Sequence, residues 1–263
     1  MKIQNRIGRI YQLHDNPLLE KHWGRENGPY QVGNLRYLRN LCPQARRIID
    51  VGAHVGSNSI EYSTWANAVE SFEPTPDTFQ YLQTNIDYNR LNTPKGRYYH
   101  QGQPGHWPNH PDGWFRTSEG FASLAMTGQI TLHNQAIGDQ PGQAHIHNNN
   151  QGLANYIQPS ADGTVEITTI DSFGWNDVDI IKVDVEGREW PVIQGARQTI
   201  QLCRPVIQVE MWQWERRFGI DNQHMLDYFR SLNYRHTNNR GQDLPWDAVK
   251  KITRTMDRFF IPN

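Results

Sequence analysis

Cysteine is almost missing from this chain: Cys42 and Cys203 are the two among 263 residues. They form no CxxC pair or other metal-ligand spacing, which excludes a zinc ribbon, a thiolate cluster and a disulfide scaffold. Both read as buried or half-buried thiols of a reducing compartment. Long apolar runs are absent too. No stretch approaches the ~20 residues of a bilayer-crossing helix, and MKIQNRIGRIYQL lacks the apolar core of a secretory signal. The expected location is cytoplasmic, or host cytoplasm if the chain is viral. An excess of one charge sign is the third absence. With 26 Lys and Arg against 27 Asp and Glu, the formal net charge is -1. No broad positive field is available to collect nucleic acid, so nucleic acid is not the expected partner. Arg46-Arg47 and Arg216-Arg217 are too short and too far apart in sequence to read as a phosphate track; solvated faces or helix ends fit them better. No internal repeat is visible.

What is present fits one globular core: 37% of residues are apolar and 20% charged. In Val32–Cys42 the residues Val32, Leu35, Leu38 and Leu41 make a one-stripe helix that Pro43 stops. Ile48, Ile49 and Val51 form a short strand buried on both faces, followed by a Gly-rich turn and a helix from about Gly56. A second strand, Ala68–Phe72, ends at Glu73-Pro74, and Pro76-Asp77 opens a helix with Phe79, Leu82 and Ile86 on its apolar face. Two such units in succession predict a parallel sheet with right-handed crossovers. QITLHNQAIGD predicts a strand ending near Ala136-Ile137, and HIHNNN and VEITTID two further extended segments. Val178–Val183 is the strongest strand. A helix carrying Trp190, Ile193 and Ile200 follows it, with Pro191 tolerated in the first turn. RPVIQVEMW is a strand ending at Glu210, then come a helix around Met225–Phe229 and a terminal hairpin through Tyr234 and Arg258–Ile261. Residues 1–45 read as a helical or irregular extension packed on the core, and 46–263 as the main domain. Residues 96–127, rich in Gly, Pro and Trp, break the rhythm and read as an insertion over the open end of the sheet. Trp is frequent, with 9 copies; these either pin loops by packing or line a groove.

In an open parallel sheet, ligands bind beyond the carboxyl ends of the strands. That rule singles out Asp50, Glu73, Asn134-Gln135, Asp184 with Glu186, and Glu210. The turn D50-V-G-A-H-V-G56 has glycines for a tight bend but not the GxGxxG spacing of a pyrophosphate site. A single nucleoside with a charged amino-acid tail fits better: Asp50 for the ammonium, directly or through water, and N–H groups of the turn and helix start for the carboxylate. Glu73 stands where an acid accepts ribose hydroxyls in related nucleotide folds. In KVDVEG, alternation places Lys182, Asp184 and Glu186 on one side. Three ionisable groups in the crevice are costly unless used or fully paired. If a hydroxyl is methylated, its proton must leave, and Asp184, Glu186, Glu210 or His54 could take it.

These segments resemble the FkbM-type methyltransferases, within the wider Rossmann-like class. The resemblance covers roughly Ile48 to Glu210 and rests on IIDVGAHVGSNSI, VESFEPTPDTFQYLQTNI, NQAIGD, ITTIDSF, IIKVDVEGREWPVIQGA and RPVIQVE. It implies an α/β domain with a mostly parallel seven-stranded sheet, helices on both faces and a terminal antiparallel strand. It implies S-adenosylmethionine as cofactor and O-methylation of a hydroxyl on a sugar, glycan or natural-product small molecule. Asp50, Gly52, Ala53, His54 and Gly56, with the helix start at Ser57 and Asn58, would then hold the methionine part. Glu73 and Pro74 would meet the ribose, Gln135 and Ala136 would flank the adenine, and Asp184 would face the transfer centre. Asp184, Glu186 and Glu210 are also oxygen ligands for a hard cation, but no dedicated spacing supports a metal and none is expected. His54 departs from the family, which commonly carries Asn there, and so does the 96–127 insertion, which is expected to set the acceptor. An RNA methyltransferase and a non-catalytic binding protein are the competing readings. A dimer is permitted by exposed edge strands and not required.

Overall fold

The uninterrupted apolar runs become the middle of a sheet in the computed structural model of the chain. The structure describes residues 2–4, 10–12, 31–92, 114–117, 120–123, 126, 128–147, 155–211, 222–247 and 256–263. Most of the expected N-terminal extension, most of the 96–127 insertion, the HNNNQG tract and Arg216-Arg217 lie outside these residues. In chain order, β1 (Lys2–Gln4) and β2 (Ile10–Gln12) pair antiparallel. Then follow α1 (Val32–Leu41), β3 (Ala45–Val51), α2 (Ser57–Tyr62), β4 (Ala66–Phe72) and α3 (Pro76–Asn92). The strands β5 (Trp114–Thr117) and β6 (Gly120–Ser123) form a hairpin. Next are β7 (Gln129–His133), β8 (Ala136–Ile137), β9 (Gly142–His147), β10 (Tyr156–Pro159), β11 (Val165–Thr168) and β12 (Val178–Val183). The chain closes with α4 (Glu189–Gln194), α5 (Arg197–Cys203), β13 (Val206–Met211), α6 (Asn222–Ser231), β14 (Tyr234–Thr237) and β15 (Met256–Pro262).

The main sheet has seven strands in the order β14-β15-β13-β12-β3-β4-β7. From β13 to β7 all neighbours are parallel, and β15 runs antiparallel to both β13 and β14. Each face carries its own apolar layer. Ile49, Val51, Phe72, Ile181, Val183, Ile207 and Val209 pack against α4, α5 and α6. Ile48, Val69, Ile180, Val206 and Phe259 pack under α1, α2 and α3 through Leu38, Ile60, Leu82 and Ile86. Burial on both faces explains why β3 and β12 read as continuous apolar runs rather than alternating ones.

Two sequence expectations are corrected. QITLHNQAI is not one strand. Asn134 turns out of β7, its side chain donating to the carbonyls of Glu73 at 2.9 Å and Pro74 at 3.2 Å. Ala136-Ile137 then joins a second, four-stranded sheet, β10-β9-β11-β8, with its own small core of Ala136, Ala144, Val165 and Ile167. The helix after β12 is also two helices. Asp171, from a distant segment, accepts Gln198 N–H at 2.9 Å and Thr199 N–H at 2.8 Å. It thereby satisfies the first-turn donors of a new helix and fixes α5 as a separate element.

Candidate active site

A row of polar side chains crosses the sheet just below its carboxyl edge. Register places Ser71, Asp50, Lys182 and Gln208 side by side on β4, β3, β12 and β13. Ser71 Oγ donates to Ser59 Oγ at 2.8 Å, and Ser59 Oγ to Asp50 Oδ2 at 2.6 Å. Lys182 Nζ lies 3.2 Å from Asp50 Oδ1 and 3.4 Å from Asp184 Oδ2, and donates to Gly52 O at 2.8 Å. Gln208 Nε2 donates to Asp257 Oδ1 at 2.7 Å, and Asn34 Nδ2 to Asp257 Oδ2 at 2.7 Å. Asn239 Nδ2 then donates to Asn34 Oδ1 at 2.9 Å. The row therefore runs from α2 to α1 and ties both helices to the strands beneath the site.

This row gives Asp50 two close neighbours. Its side chain is wholly buried, with Ser59 Oγ on one oxygen and Lys182 Nζ beside the other. It holds Lys182. Lys182 is buried as well. The carboxylates of Asp184 and Asp50 hold its ammonium charged against the opposing cost of burial. Lys182 thereby ties Asp50, Asp184 and the Gly52 carbonyl together.

Above the row, the first turn is built for close approach. Gly52 has φ 78°, and a Cβ there would stand 1.8 Å from the Asp184 carbonyl oxygen. The turn is thereby pressed against the end of β12, and the backbone N–H groups of Gly52 and Ala53 both donate to Phe72 O. Gly56, at φ 89°, begins α2, where a Cβ would meet Leu82 at 2.7 Å. His54 also has positive φ, and its N–H donates to Glu73 Oε2 at 3.1 Å. Glu73 Oε1 accepts Thr75 N–H at 2.9 Å. Burial raises the Glu73 pKa against the pull of these donors. Two backbone N–H groups, together with the Thr75 hydroxyl, therefore fix the orientation of the carboxylate. Ser57 and Asn58 are buried at the helix start. Asn58 Oδ1 has no hydrogen-bond partner. Gln135 is half-buried beside Asn134, and Ala136 faces the small core of the second sheet.

At the other side of the opening, one carboxylate oxygen each from Asp184, Glu186 and Glu210 falls within 4.8 Å of the others. All three residues are half-buried. Burial, then the charges of Asp184, Glu186 and Asp257, push Glu210 far above the ordinary carboxylate range, and it shares a hydrogen bond with Asp184. Asp257, opposite Glu210 in register, is raised by burial too. The oxygen set of Asp184, Glu186 and Glu210 suits a hard cation, yet Lys182 already supplies a positive charge 3.4 Å from Asp184.

Sequence reasoning missed three supports of this cluster. Glu189 folds back from the first turn of α4 so that Oε1 accepts Gly187 N–H at 2.9 Å and Val185 N–H at 3.4 Å. Burial pushes its carboxyl up to about 7, against those donors. The spacing V-E-G-R-E was the available signal: an acid in a helix's first turn, just after a glycine. Asp257 and Asn34 had no such signal, because 223 positions separate them in the chain.

A seven-stranded sheet with one antiparallel strand, a glycine turn after the central strand and acids at the strand ends define a class I methyltransferase fold. The family comparison is specific: residues 50–236 match the model for the methyltransferase FkbM domain. The chain belongs to that family and is a methyltransferase. Among solved structures it is similar to the FkbM methyltransferase from Methylobacillus flagellatus, at 18% identity and TM-score 0.45. That match covers 82% of this chain and 44% of the other, so the chain spans less than half of that relative. It is also similar to the Bacillus cereus O-methyltransferase in complex with SAH, at 12% identity and TM-score 0.42, covering 93% and 86%. The N-methyltransferase NodS from Bradyrhizobium japonicum matches at 12% identity and TM-score 0.42, covering 95% and 100%. No curated protein matches the chain. Among the described residues no helix is long and apolar enough to cross a membrane.

Proposed function

We propose that the chain is an S-adenosylmethionine-dependent O-methyltransferase acting on a hydroxyl of a sugar, glycan or natural-product small molecule. The observation that carries this reading is the division of the opening into two unlike halves. The glycine turn, Glu73 and the partnerless Asn58 Oδ1 fit a nucleoside with an amino-acid tail. In that fit Glu73 accepts the ribose hydroxyls, Asn58 Oδ1 accepts from the ammonium, and N–H groups at the start of α2 meet the tail's carboxylate. Gln135 and Ala136 line the place of the base. When bound, S-adenosylmethionine supplies the methyl carbon on its sulfonium, and S-adenosylhomocysteine leaves as the new O–C bond replaces the S–C bond.

The chain's own contribution to transfer lies at Asp184. Lys182 fixes its carboxylate, and Glu210 shares a hydrogen bond with it. Asp184 is half-exposed and so can accept a hydrogen bond from the incoming hydroxyl, align it, and take its proton as the O–C bond forms. Glu186 and Glu210 complete an acidic wall suited to the hydroxyls of a polyol. No step is assigned to a metal, since Lys182 provides the cluster's cation.

Methyl-labelled S-adenosylmethionine offered with a panel of glycans, hydroxylated small metabolites, RNA and amines tests the assignment. We expect label in methyl ethers of a hydroxylated small molecule or glycan. Label confined to RNA or to nitrogen would reject it.

A further inference from the structure

On the opposite face of the sheet from the carboxylates, the last two strands bury a guanidinium that has no acidic partner among the described residues. Arg258 sits in β15 opposite Val209 of β13 and is 5% exposed. It shares a face with Phe260, in the apolar layer beneath α6. Its Nε has no hydrogen-bond partner, and its Nη2 reaches the Met256 sulfur, a weak acceptor, at 3.6 Å. The nearest carboxylate in sequence, Asp257, points to the other face, where Gln208 and Asn34 occupy both its oxygens.

A second buried polar group stands beside it. His236 of β14 pairs with Phe260, the alternate neighbour of Arg258 along β15, and is 2% exposed. Its ring stacks on Phe260 at 5.2 Å and tilts against Trp246 at 5.5 Å. Burial first, then the Arg258 charge, press its pKa down to about 4, opposed only by the backbone of Pro245. Burial also lowers the Arg258 pKa, with Asp257 the one opposing charge.

A buried cation is destabilising unless an opposite charge and hydrogen bonds compensate it. Arginine cannot shed its charge by losing the proton at physiological pH. Its planar fork of donors matches the oxygens of a carboxylate or phosphate. We propose that Arg258 and His236, walled by Trp246, form a binding site for an oxyanion: a phosphate or carboxylate group, free or carried on a larger ligand. An anion there would neutralise Arg258 and satisfy its Nε–H.

The test uses the full chain with inorganic phosphate and, separately, acetate, each against chloride at constant ionic strength. The Nε–H resonance of Arg258 is followed by NMR, and the Tm is recorded for wild type and Arg258→Met. We expect a saturable shift of that resonance and a rise in Tm of several degrees for wild type. The Arg258→Met protein should lose the rise, and in chloride it should melt above wild type because the lone buried charge is gone. A response to phosphate alone assigns a tetrahedral anion, and a response to both assigns oxyanions generally; either supports the site. No saturable shift with either anion, or an undiminished Tm rise in Arg258→Met, would overturn it. If Arg258→Met does not fold, the wild-type resonance decides. Binding of S-adenosylhomocysteine, measured on the same samples, reads the methyltransferase assignment separately.

Discussion

The two halves of the opening solve the same problem differently. Around Glu73 a buried carboxylate is matched by backbone donors, His54 N–H and Thr75 N–H, which cannot titrate or swing away. Around Asp184 four acids, Asp184, Glu186, Glu210 and Asp257, gather near one buried lysine. Burial first, then that crowding, drives two of them, Glu210 and Asp257, upward in pKa, whereas at Glu73 burial acts against hydrogen-bond donors and one distant lysine. A binding surface benefits from the first arrangement because its donors are preorganised and carry no titrating proton of their own. A group that must accept a proton in each turnover benefits from the second, because a neighbouring acid shares a hydrogen bond with it.

The largest effect that could break this contrast is steric and belongs to both halves. Gly52→Ala drives a methyl group into the Asp184 carbonyl, 1.8 Å away in the present backbone, and forces a non-glycine residue to positive φ. A loss of about 4 kcal/mol or more is expected, at the extreme of single substitutions. Chemical denaturation checks it, and an unaltered midpoint would show that the turn and β12 are not pressed together. Next comes Lys182→Met, which leaves Asp50 and Asp184 buried or half-buried without their cation. The expected cost is roughly 3–5 kcal/mol, together with loss of transfer. A variant as stable as wild type would mean that the acids, not the lysine, carry their own compensation.

Smaller and specific to the acidic half is a pH effect. The folded-state pKa of Glu189 lies at about 7, above its unfolded value, so the native state binds more protons than the unfolded one between them. Its contribution is fully present below the ordinary carboxylate range and is lost as pH rises toward 7. The loss amounts to no more than about 3 kcal/mol. The Tm of wild type should fall between pH 5 and 8, and Glu189→Gln should flatten that slope. Equal slopes would place the proton elsewhere.

Much of the framework was legible in the sequence, because burial on two faces writes itself as apolar runs. β3 and β12, the glycine turn between Asp50 and Gly56, and the acids at the strand ends all followed from local pattern. What was not legible depends on register. Nothing near Asp50 announces that it sits beside Lys182. Nothing near Asp257 announces Asn34. The second sheet was obscured because Asn134-Gln135 interrupts an apparently continuous strand, which hides that Ala136-Ile137 pairs with β11 rather than extending β7. The break between α4 and α5 is set by Asp171, 27 residues upstream of Gln198, beyond any helical periodicity.

The contrast between a binding half and a transfer half is tested most directly by calorimetry of S-adenosylhomocysteine with wild type, Glu73→Ala and Asp184→Asn. The account predicts binding to wild type, a loss of about tenfold or more in affinity for Glu73→Ala, and affinity within a few-fold of wild type for Asp184→Asn. Absence of binding to folded wild type, or a loss in Asp184→Asn exceeding that in Glu73→Ala, would contradict it.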